Sequence, residues 1–123
     1  MAQSVRDFVD EMYGALRRGD EEWFRNHLIN GPESVHIGTT DRYWQTTDEL
    51  IVALRRAFAE VPMDWRAGPD TVIGQRGKVA WVADRPEVRF DDGSRLNPRV
   101  TVVLVDDDGT WKVAHSHFSS ASD

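Results

Sequence analysis

The spacing of apolar residues changes from a helical to a strand period along the chain, and this change constrains the fold more than any other feature. In the first part, apolar side chains recur three or four positions apart, as on one face of a helix. The clearest such face comprises Val5, Phe8, Val9, Met12, Tyr13 and Leu16. After residue 70, short runs rich in Val, Trp and Thr are separated by glycine-containing turns, which is typical of strands. This order predicts an α+β fold with the helices on one side of a curved sheet.

Local signals place the ends of three helices in the first part of the chain. Ser4 is a suitable N-cap for the first helix, and Gly19 suits the left-handed position that ends it. Asp20 caps a short second helix. The third helix begins near Thr46 or Thr47 and stops before the proline at position 62.

Five strand segments are predicted, and the last four are joined mainly by hairpin turns. The predicted strands span residues 35–38, 71–73, 79–90, 96–105 and 111–118. The connecting segments 74–77, 91–94 and 107–110 each contain a glycine, as tight hairpin loops require. The sheet is therefore expected to be an antiparallel meander.

Charge and composition exclude several classes of protein. The 123 residues suit one domain, and 15 Lys and Arg against 21 Asp and Glu give a net charge of −6, so no nucleic-acid or anionic-lipid partner is expected. The absence of cysteine excludes disulfides, thiolate catalysis and cysteine-held metals. No apolar run is long enough to span a membrane, and the acidic first residues do not form a signal peptide. We therefore expect a cytoplasmic protein.

The two hairpin loops 91–93 and 107–109 predict which side chains share a face of the sheet. If each is a three-residue loop with glycine in the left-handed region, Trp81 lies opposite Val103 and Thr101 lies opposite His115. A loop of four residues would move Thr101 to the other face. The predicted pocket face carries Trp81, Arg99, Thr101, Val103, Trp111, Val113, His115 and His117.

The opposite face is also largely apolar. Its residues are Val82, Asp84, Val100, Val102, Leu104, Ala114, Ser116 and Phe118. Three short helices can cover only one side of a sheet, so this second face is expected to meet another copy of the chain. The prediction is a homodimer formed through the convex face of the sheet.

Two histidines and one arginine on the predicted pocket face could carry chemistry. His115 and His117 point the same way from one strand and could exchange protons near neutral pH. Arg99 could hold an anionic oxygen. The alternatives are that both histidines are structural and that Arg99 pairs with Asp84 or Glu87.

His36, Trp44, Tyr43 and Trp81 are further candidates for the pocket. The aromatic residues would form walls for a flat or apolar ligand, although such side chains also occur as ordinary core. His36 together with the two later histidines could supply three metal ligands. No carboxylate that would orient them is evident on the same face, so no metal is predicted.

Several motifs resemble one known family. They are Gly19-Asp20, His36-Ile37-Gly38-Thr39 followed by Trp44, the strand 99–104, and the closing Trp-x-Val-x-His-x-His-x-Ser of residues 111–119. The whole chain, as a single domain over residues 1–123, resembles the SnoaL-like branch of the nuclear transport factor 2-like (cystatin-like) superfamily. The ending is similar to the association domain of calcium/calmodulin-dependent kinases.

This resemblance implies a cone, with three helices packed on a strongly curved antiparallel sheet, a deep pocket between them and sheet-to-sheet homodimers. It does not imply one activity, since the scaffold hosts isomerases, cyclases, dehydratases, epoxide hydrolases and binding modules. Steroid-isomerase-like members need an Asp facing a Tyr or an acid, and epoxide-hydrolase-like members need two carboxylates and an Arg. Neither set is present on the predicted pocket face.

The sequence thus predicts a protein that binds a small, partly apolar anion without a cofactor. His115 and His117 would act as an acid–base pair of a lyase, isomerase or cyclase. The alternative is a non-catalytic ligand-binding or dimerisation module. The predicted ligand contacts are Arg99, Thr101, Trp44, Tyr43, His36 and Trp81.

Overall fold

The computed structural model describes residues 3–39, 44–60 and 63–120. It contains the three helices that the sequence predicts: α1 (Val5–Arg18), α2 (Glu21–His27) and α3 (Thr47–Glu60). The Ser4 hydroxyl accepts a hydrogen bond from the backbone of Asp7, and Gly19 ends α1 with φ 65°. The Asp20 carboxylate accepts from the backbone of Trp23 at the start of α2. These caps satisfy backbone groups that a helix end leaves free.

The strands form two sheets. They are β1 (His36–Ile37), β2 (Trp44–Gln45), β3 (Met63–Arg66), β4 (Val72–Arg76), β5 (Val79–Asp84), β6 (Glu87–Phe90), β7 (Arg95–Leu96), β8 (Arg99–Asp107) and β9 (Thr110–Ser119). The larger sheet has the order β2-β1-β9-β8-β5-β4, and the smaller has the order β3-β6-β7. The pair β1–β9 is parallel, so the larger sheet is mixed, whereas β4, β5, β8 and β9 pair antiparallel as the predicted meander requires. The α+β class, with helices packed against a curved sheet, is confirmed.

Two prolines divide the predicted long strands 79–90 and 96–105. The first becomes β5 and β6 around Pro86, and the second becomes β7 and β8 around Pro98. Both prolines are fully buried, and the pairing on either side sets them opposite each other. Neither can donate to the strand ladder, so the ladder is interrupted there and the strands pass from one sheet to the other.

The first hairpin loop is as predicted. The backbone N–H of Phe90 donates to the carbonyl of Ser94 at 3.0 Å, and Gly93 has φ 86°. Trp81 lies opposite Val103, as the three-residue loop requires.

The second hairpin differs from the prediction at two points. Its loop has two residues, Asp108 and Gly109, both with positive φ (55° and 90°), so Asp107 pairs with Thr110. A bulge then interrupts the ladder, because His115 pairs with Val103 while Val113 pairs with Leu104. Ala114 is the extra residue in β9.

The bulge places Trp111 and Val113 on one face of the sheet and His115 and His117 on the other, and the helices cover the face with Trp111 and Val113. We call the face that the helices cover the inner face, and it carries Ala80, Val82, Asp84, Val100, Val102, Leu104, Trp111, Val113, Ser116 and Phe118. We call the other the outer face, and it carries Val72, Gly74, Arg76, Val79, Trp81, Ala83, Arg99, Thr101, Val103, Val105, His115 and His117. The predicted assignment of pocket and convex faces was therefore inverted for β5 and β8 and for the histidines of β9.

The core lies between the inner face and helices α1 and α2. Phe8, Val9 and Tyr13 of α1 are almost fully buried, as are Val82 and Leu104 of the sheet. In the described ranges, no helix is long and apolar enough to cross a membrane.

Candidate functional site

A cavity of about 390 Å³ lies between the inner face and all three helices and is partly open to solvent. This volume is at the small end of the range for ligand pockets, roughly 300–1,000 Å³. Among its described lining residues there is no Lys, Arg, Asp or Glu. Most of the wall is apolar: Met12, Leu16, Phe24, Leu28, Ile37, Leu50, Ala53, Leu54, Ala57, Phe58, Met63, Trp65, Val100, Val102, Val113 and Phe118.

His36 and Ser116 form a polar end of this cavity, and the polar residues Thr39, Gln45 and His117 also belong to its described lining. The backbones of His36 and Ser116 pair directly because β1 runs parallel to β9. The Ser116 Oγ lies 2.7 Å from Nδ1 of His36, and Nε2 of the same ring lies 3.2 Å from Oγ1 of Thr47. Thr47 in turn donates to the carbonyl of Ile29 at 2.6 Å. The histidine is thus held at both nitrogens.

His36 is neutral at physiological pH. Its side chain is nearly inaccessible, and burial lowers its pKa to about 4, with a smaller contribution from the charge of His115. A buried cation without a carboxylate partner is unfavourable, which is the physical reason for this direction. His36 therefore acts in the cavity as a hydrogen-bonding group.

Tyr13 lies on the cavity wall, but its hydroxyl is already engaged. It donates to Oδ2 of Asp84 at 2.8 Å, and burial and this carboxylate raise its pKa. Asp84 also accepts from the Thr71 hydroxyl at 3.0 Å and from the backbone of Gly68 and Arg85. A buried carboxylate with this many donors ties α1 to the sheet and is not free to act as a base.

Trp65 carries an unused donor. The indole lines the cavity between Tyr13, 6.1 Å away in a stacked arrangement, and Phe118, 5.7 Å away. Only 7% of Trp65 is exposed, and its Nε1–H has no hydrogen-bond partner within residues 3–39, 44–60 and 63–120. An unpaired N–H in an apolar site costs about 1–3 kcal/mol, so an acceptor is expected to meet it.

Of the predicted site residues, the structure brings His36 and His117 to the cavity. His36 lies inside, whereas His117 borders it and is exposed, with its backbone opposite Thr101 on the outer face. Trp44 is 70% exposed and is not on the described lining, so the structure does not bring it to the cavity. Tyr43 lies outside the described residues.

Four other predicted residues lie on the outer face, outside the cavity. They are Arg99, Thr101, Trp81 and His115. The prediction that they share one face was correct, but the helices cover the opposite face. His115 is held there by a contact of 2.7 Å between its Nδ1 and the carbonyl of Val35. Arg99 is exposed, so it is not a desolvated cation that requires an anion.

The sequence interpretation missed Tyr13, Trp65 and Ser116 as cavity residues. A polar residue in the middle of an apolar strand was the available signal for Asp84, and it implied a donor such as Tyr13. In the described part of the chain, no three His, Asp or Glu side chains are grouped so that they could hold a metal.

Comparisons with solved structures show the same fold at low sequence identity. A nuclear transport factor 2-like protein from Pseudomonas putida is 16% identical, with a TM-score of 0.83 over 97% of this chain and 85% of that chain. A candidate dehydratase from Streptomyces avermitilis is 14% identical, with a TM-score of 0.76 over 91% of this chain and 89% of that one. A candidate calcium/calmodulin-dependent protein kinase II association domain from Xanthomonas campestris is 16% identical, with a TM-score of 0.76 over 97% and 86%.

A structure from Caulobacter vibrioides that is similar to this chain is described as cystatin-like, with 14% identity and a TM-score of 0.77 over 96% of this chain and 87% of that one. A comparison of the sequence with curated proteins finds no match. The family of SnoaL-like domains matches residues 5–123, which include every element of the fold and the whole described cavity wall. The chain therefore belongs to the SnoaL-like domain family.

Proposed function

We propose that this protein binds a neutral, mostly apolar small molecule in the inner cavity. The observation that carries the proposal is a mostly apolar cavity wall in which the Nε1–H of Trp65 has no hydrogen-bond partner among the described residues. An apolar pocket with a few convergent polar groups is the usual form of a small-molecule site. A ligand with a hydrogen-bond acceptor next to Trp65 would remove the cost of this unpaired donor.

A neutral ligand fits this cavity better than an anion. The described lining contains no Lys or Arg, and the chain has a net charge of −6. Arg99, on which the expectation of an anionic ligand rested, is exposed on the outer face. Moving a carboxylate into an apolar wall without a cation is unfavourable.

Binding without histidine acid–base catalysis is the form of the proposal that we favour. His115 lies outside the cavity, so the predicted pair is not assembled there: His117 borders the cavity without it, and His36 has a pKa lowered to about 4 by burial. A base with so low a pKa holds a proton poorly near pH 7, where a catalytic base needs a pKa close to the working pH. This favours the ligand-binding alternative over a lyase, isomerase or cyclase.

The test uses naphthalene derivatives and a variant that fills the cavity. Binding of naphthalene, 2-naphthol, 2-methoxynaphthalene and 2-naphthoate is measured by calorimetry. Ala53 lines the cavity and Ala59 of the same helix is exposed, so Ala53→Phe and Ala59→Phe are a matched pair. We expect the neutral compounds to bind the wild type and Ala59→Phe, and Ala53→Phe to weaken them at least about tenfold, because the ring occupies their volume.

Trp65→Phe separates the hydrogen bond from the ring. It keeps an aromatic wall and removes the N–H, so an acceptor-containing ligand should bind about three- to tenfold more weakly. Naphthalene, which has no acceptor, should be affected much less. If no neutral compound binds the wild type, or if Ala53→Phe and Ala59→Phe bind equally, the proposal is wrong.

A second proposal concerns the outer face, which we suggest pairs with that of a second copy. Within the described ranges, three of the five exposed large hydrophobic residues lie there: Val72 at 58%, Val79 at 42% and Trp81 at 38%. Trp81 lies against Gly74 of the neighbouring strand, with the Arg76 guanidinium 5.9 Å from its ring centre. Val103 continues this apolar row on β8. Contiguous apolar surface of this kind is typical of protein interfaces.

A further inference from the structure

The polar end of the cavity contains a chain of hydrogen bonds whose direction is fixed. A threonine hydroxyl has one hydrogen, and Thr47 donates it to the carbonyl of Ile29 at 2.6 Å. Toward Nε2 of His36, 3.2 Å away, Thr47 Oγ1 can therefore only accept. The imidazole hydrogen must lie on Nε2.

The same reasoning extends to Ser116. Since neutral His36 carries its hydrogen on Nε2, its Nδ1 is an acceptor. The Ser116 hydroxyl, 2.7 Å from Nδ1, must donate its only hydrogen there. Ser116 is a lining residue of the cavity, and toward a ligand its hydroxyl, having given its hydrogen to His36, can only accept.

We infer that the ligand carries a hydroxyl or N–H group that donates to the Ser116 oxygen. This inference deepens the proposed function and rests on it. A carbonyl, ether or carboxylate oxygen beside the Ser116 oxygen would be repelled, because both groups could only accept a hydrogen bond. Together with the Nε1–H of Trp65, the Ser116 oxygen favours a neutral alcohol, phenol or amide on an apolar skeleton.

The test compares ligands that differ only in this hydrogen. 2-Naphthol and 2-methoxynaphthalene share a skeleton and an oxygen, but only the naphthol can donate. We expect the wild type to bind 2-naphthol about tenfold more tightly. Equal affinity, or a preference for the ether, overturns the inference while leaving the proposed function intact. If neither compound binds, the proposed function fails and the inference fails with it.

Two substitutions test whether the preference comes from this chain of hydrogen bonds. Ser116→Val sets a methyl group in place of the acceptor and should abolish the preference. Ser119→Val on the same strand is the control, because Ser119 pairs with Arg99 and is not on the described lining. It should keep the preference. Loss in both variants, or in neither, contradicts the inference.

Thr47→Val should reverse the ligand preference, which general damage to the fold would not do. Without the threonine oxygen, Nε2–H has no acceptor, so the hydrogen is better placed on Nδ1, where it donates to Ser116. The Ser116 hydrogen is then free to meet an ether oxygen. The preference should shift toward 2-methoxynaphthalene, and an unchanged preference for the naphthol would count against the fixed direction.

The tautomer of His36 can also be observed without any ligand. Nuclear magnetic resonance of the ring nitrogens distinguishes a protonated Nε2 from a protonated Nδ1 in the wild-type protein. We expect the hydrogen on Nε2 at pH 7. A hydrogen on Nδ1 would overturn the inference irrespective of the binding results.

Discussion

Ser116 and His36 lie 80 positions apart in the sequence, yet the Ser116 Oγ is 2.7 Å from Nδ1 of the histidine. Their contact crosses the one parallel pair in the described strands, between β1 and β9. β1 has only two residues, so its backbone pairing alone is weak. The side-chain contact therefore stabilises the pairing of β1 with β9 and also positions the polar end of the cavity.

The buried neutral histidine makes stability depend on pH. The pKa of His36 is lowered from 6.5 to about 4 in the folded state, chiefly by burial. Its stabilising effect is complete above pH 6.5 and is lost as the pH falls, because the unfolded chain takes up the proton first. Between pH 7 and pH 5 this amounts to ~2 kcal/mol in the free energy of unfolding.

The measurement is urea unfolding of the wild type and of His36→Gln at both pH values. Carboxylates that titrate in this range contribute equally to both proteins, so the difference isolates His36. The glutamine variant should lose less stability on acidification. An equal loss in the two proteins would show that His36 is protonated in the folded state as readily as in the unfolded chain.

Asp84 should contribute more to stability than the tyrosine that donates to it. Asp84→Ala leaves the Tyr13 hydroxyl and the Gly68 backbone N–H without their acceptor, and leaves the Thr71 hydroxyl only the carbonyl of Gly68. It should lower the free energy of unfolding by at least ~3 kcal/mol, whereas Tyr13→Phe should lower it by ~1–2 kcal/mol. Urea titrations of the two variants check the order, and a larger effect of Tyr13→Phe would contradict it.

A charge on the outer face should separate the proposed dimer. Trp81→Glu puts a carboxylate in the middle of the apolar row and should give a monomer in sedimentation equilibrium at micromolar concentration. Trp44→Glu is the control, since Trp44 is more exposed (70% against 38%) and lies on β2 at the far edge of the sheet. A wild-type monomer, or dissociation by both variants, refutes the dimer proposal.

Gly74 tests the position of the Trp81 ring without removing it. A Cβ at this residue would lie 2.2 Å from the indole, so Gly74→Ala must displace the ring. We expect weaker dimerisation and a shifted Trp81 fluorescence signal. Gly77→Ala is not a suitable control, because Gly77 has φ 58°. Ala83→Gly on the same face, which displaces nothing, should leave the dimer intact.

Arg99 should have no part in binding at the cavity. Arg99→Leu changes an exposed residue of the outer face, so the affinities for 2-naphthol and 2-naphthoate should both stay within about twofold of the wild type. Calorimetry with both compounds measures this. A loss of naphthoate binding that is specific to Arg99→Leu would restore the anion site expected from the sequence.

Local signals predicted the helices and one hairpin well, because their causes are local. The Ser4 cap, the left-handed Gly19 and the loop at Gly93 each depend on a few adjacent residues. The second hairpin could not be predicted in this way. Its two-residue loop requires Asp108 at φ 55°, which aspartate tolerates but does not demand.

The cavity was harder to predict than the fold, because its lining depends on which face of the sheet the helices pack against. Each face of β8 contains valines, and Arg99 and Thr101 on the outer face were interpreted as pocket residues, so the pattern did not identify the face that the helices cover. Trp65 and Tyr13 reach the site from separate elements whose contacts are not local. Ser116, one position from each histidine that had been singled out, was placed on the opposite face by the predicted register.

The bulge at Ala114 has a consequence for how the strand tolerates length changes. Successive side chains of a strand point to opposite faces of the sheet. In β9 the odd-numbered residues face the helices before Ala114, and the even-numbered residues face them after it. Deleting Ala114 would restore a regular strand while every other side chain of β9 kept its side. Retaining it in a straight ladder would instead turn His115 and His117 toward the helices and Ser116 and Phe118 toward solvent. A chain that lacks this residue can thus place the same side chains of β9 against the helices. A chain of equal length without the bulge would place the opposite set there.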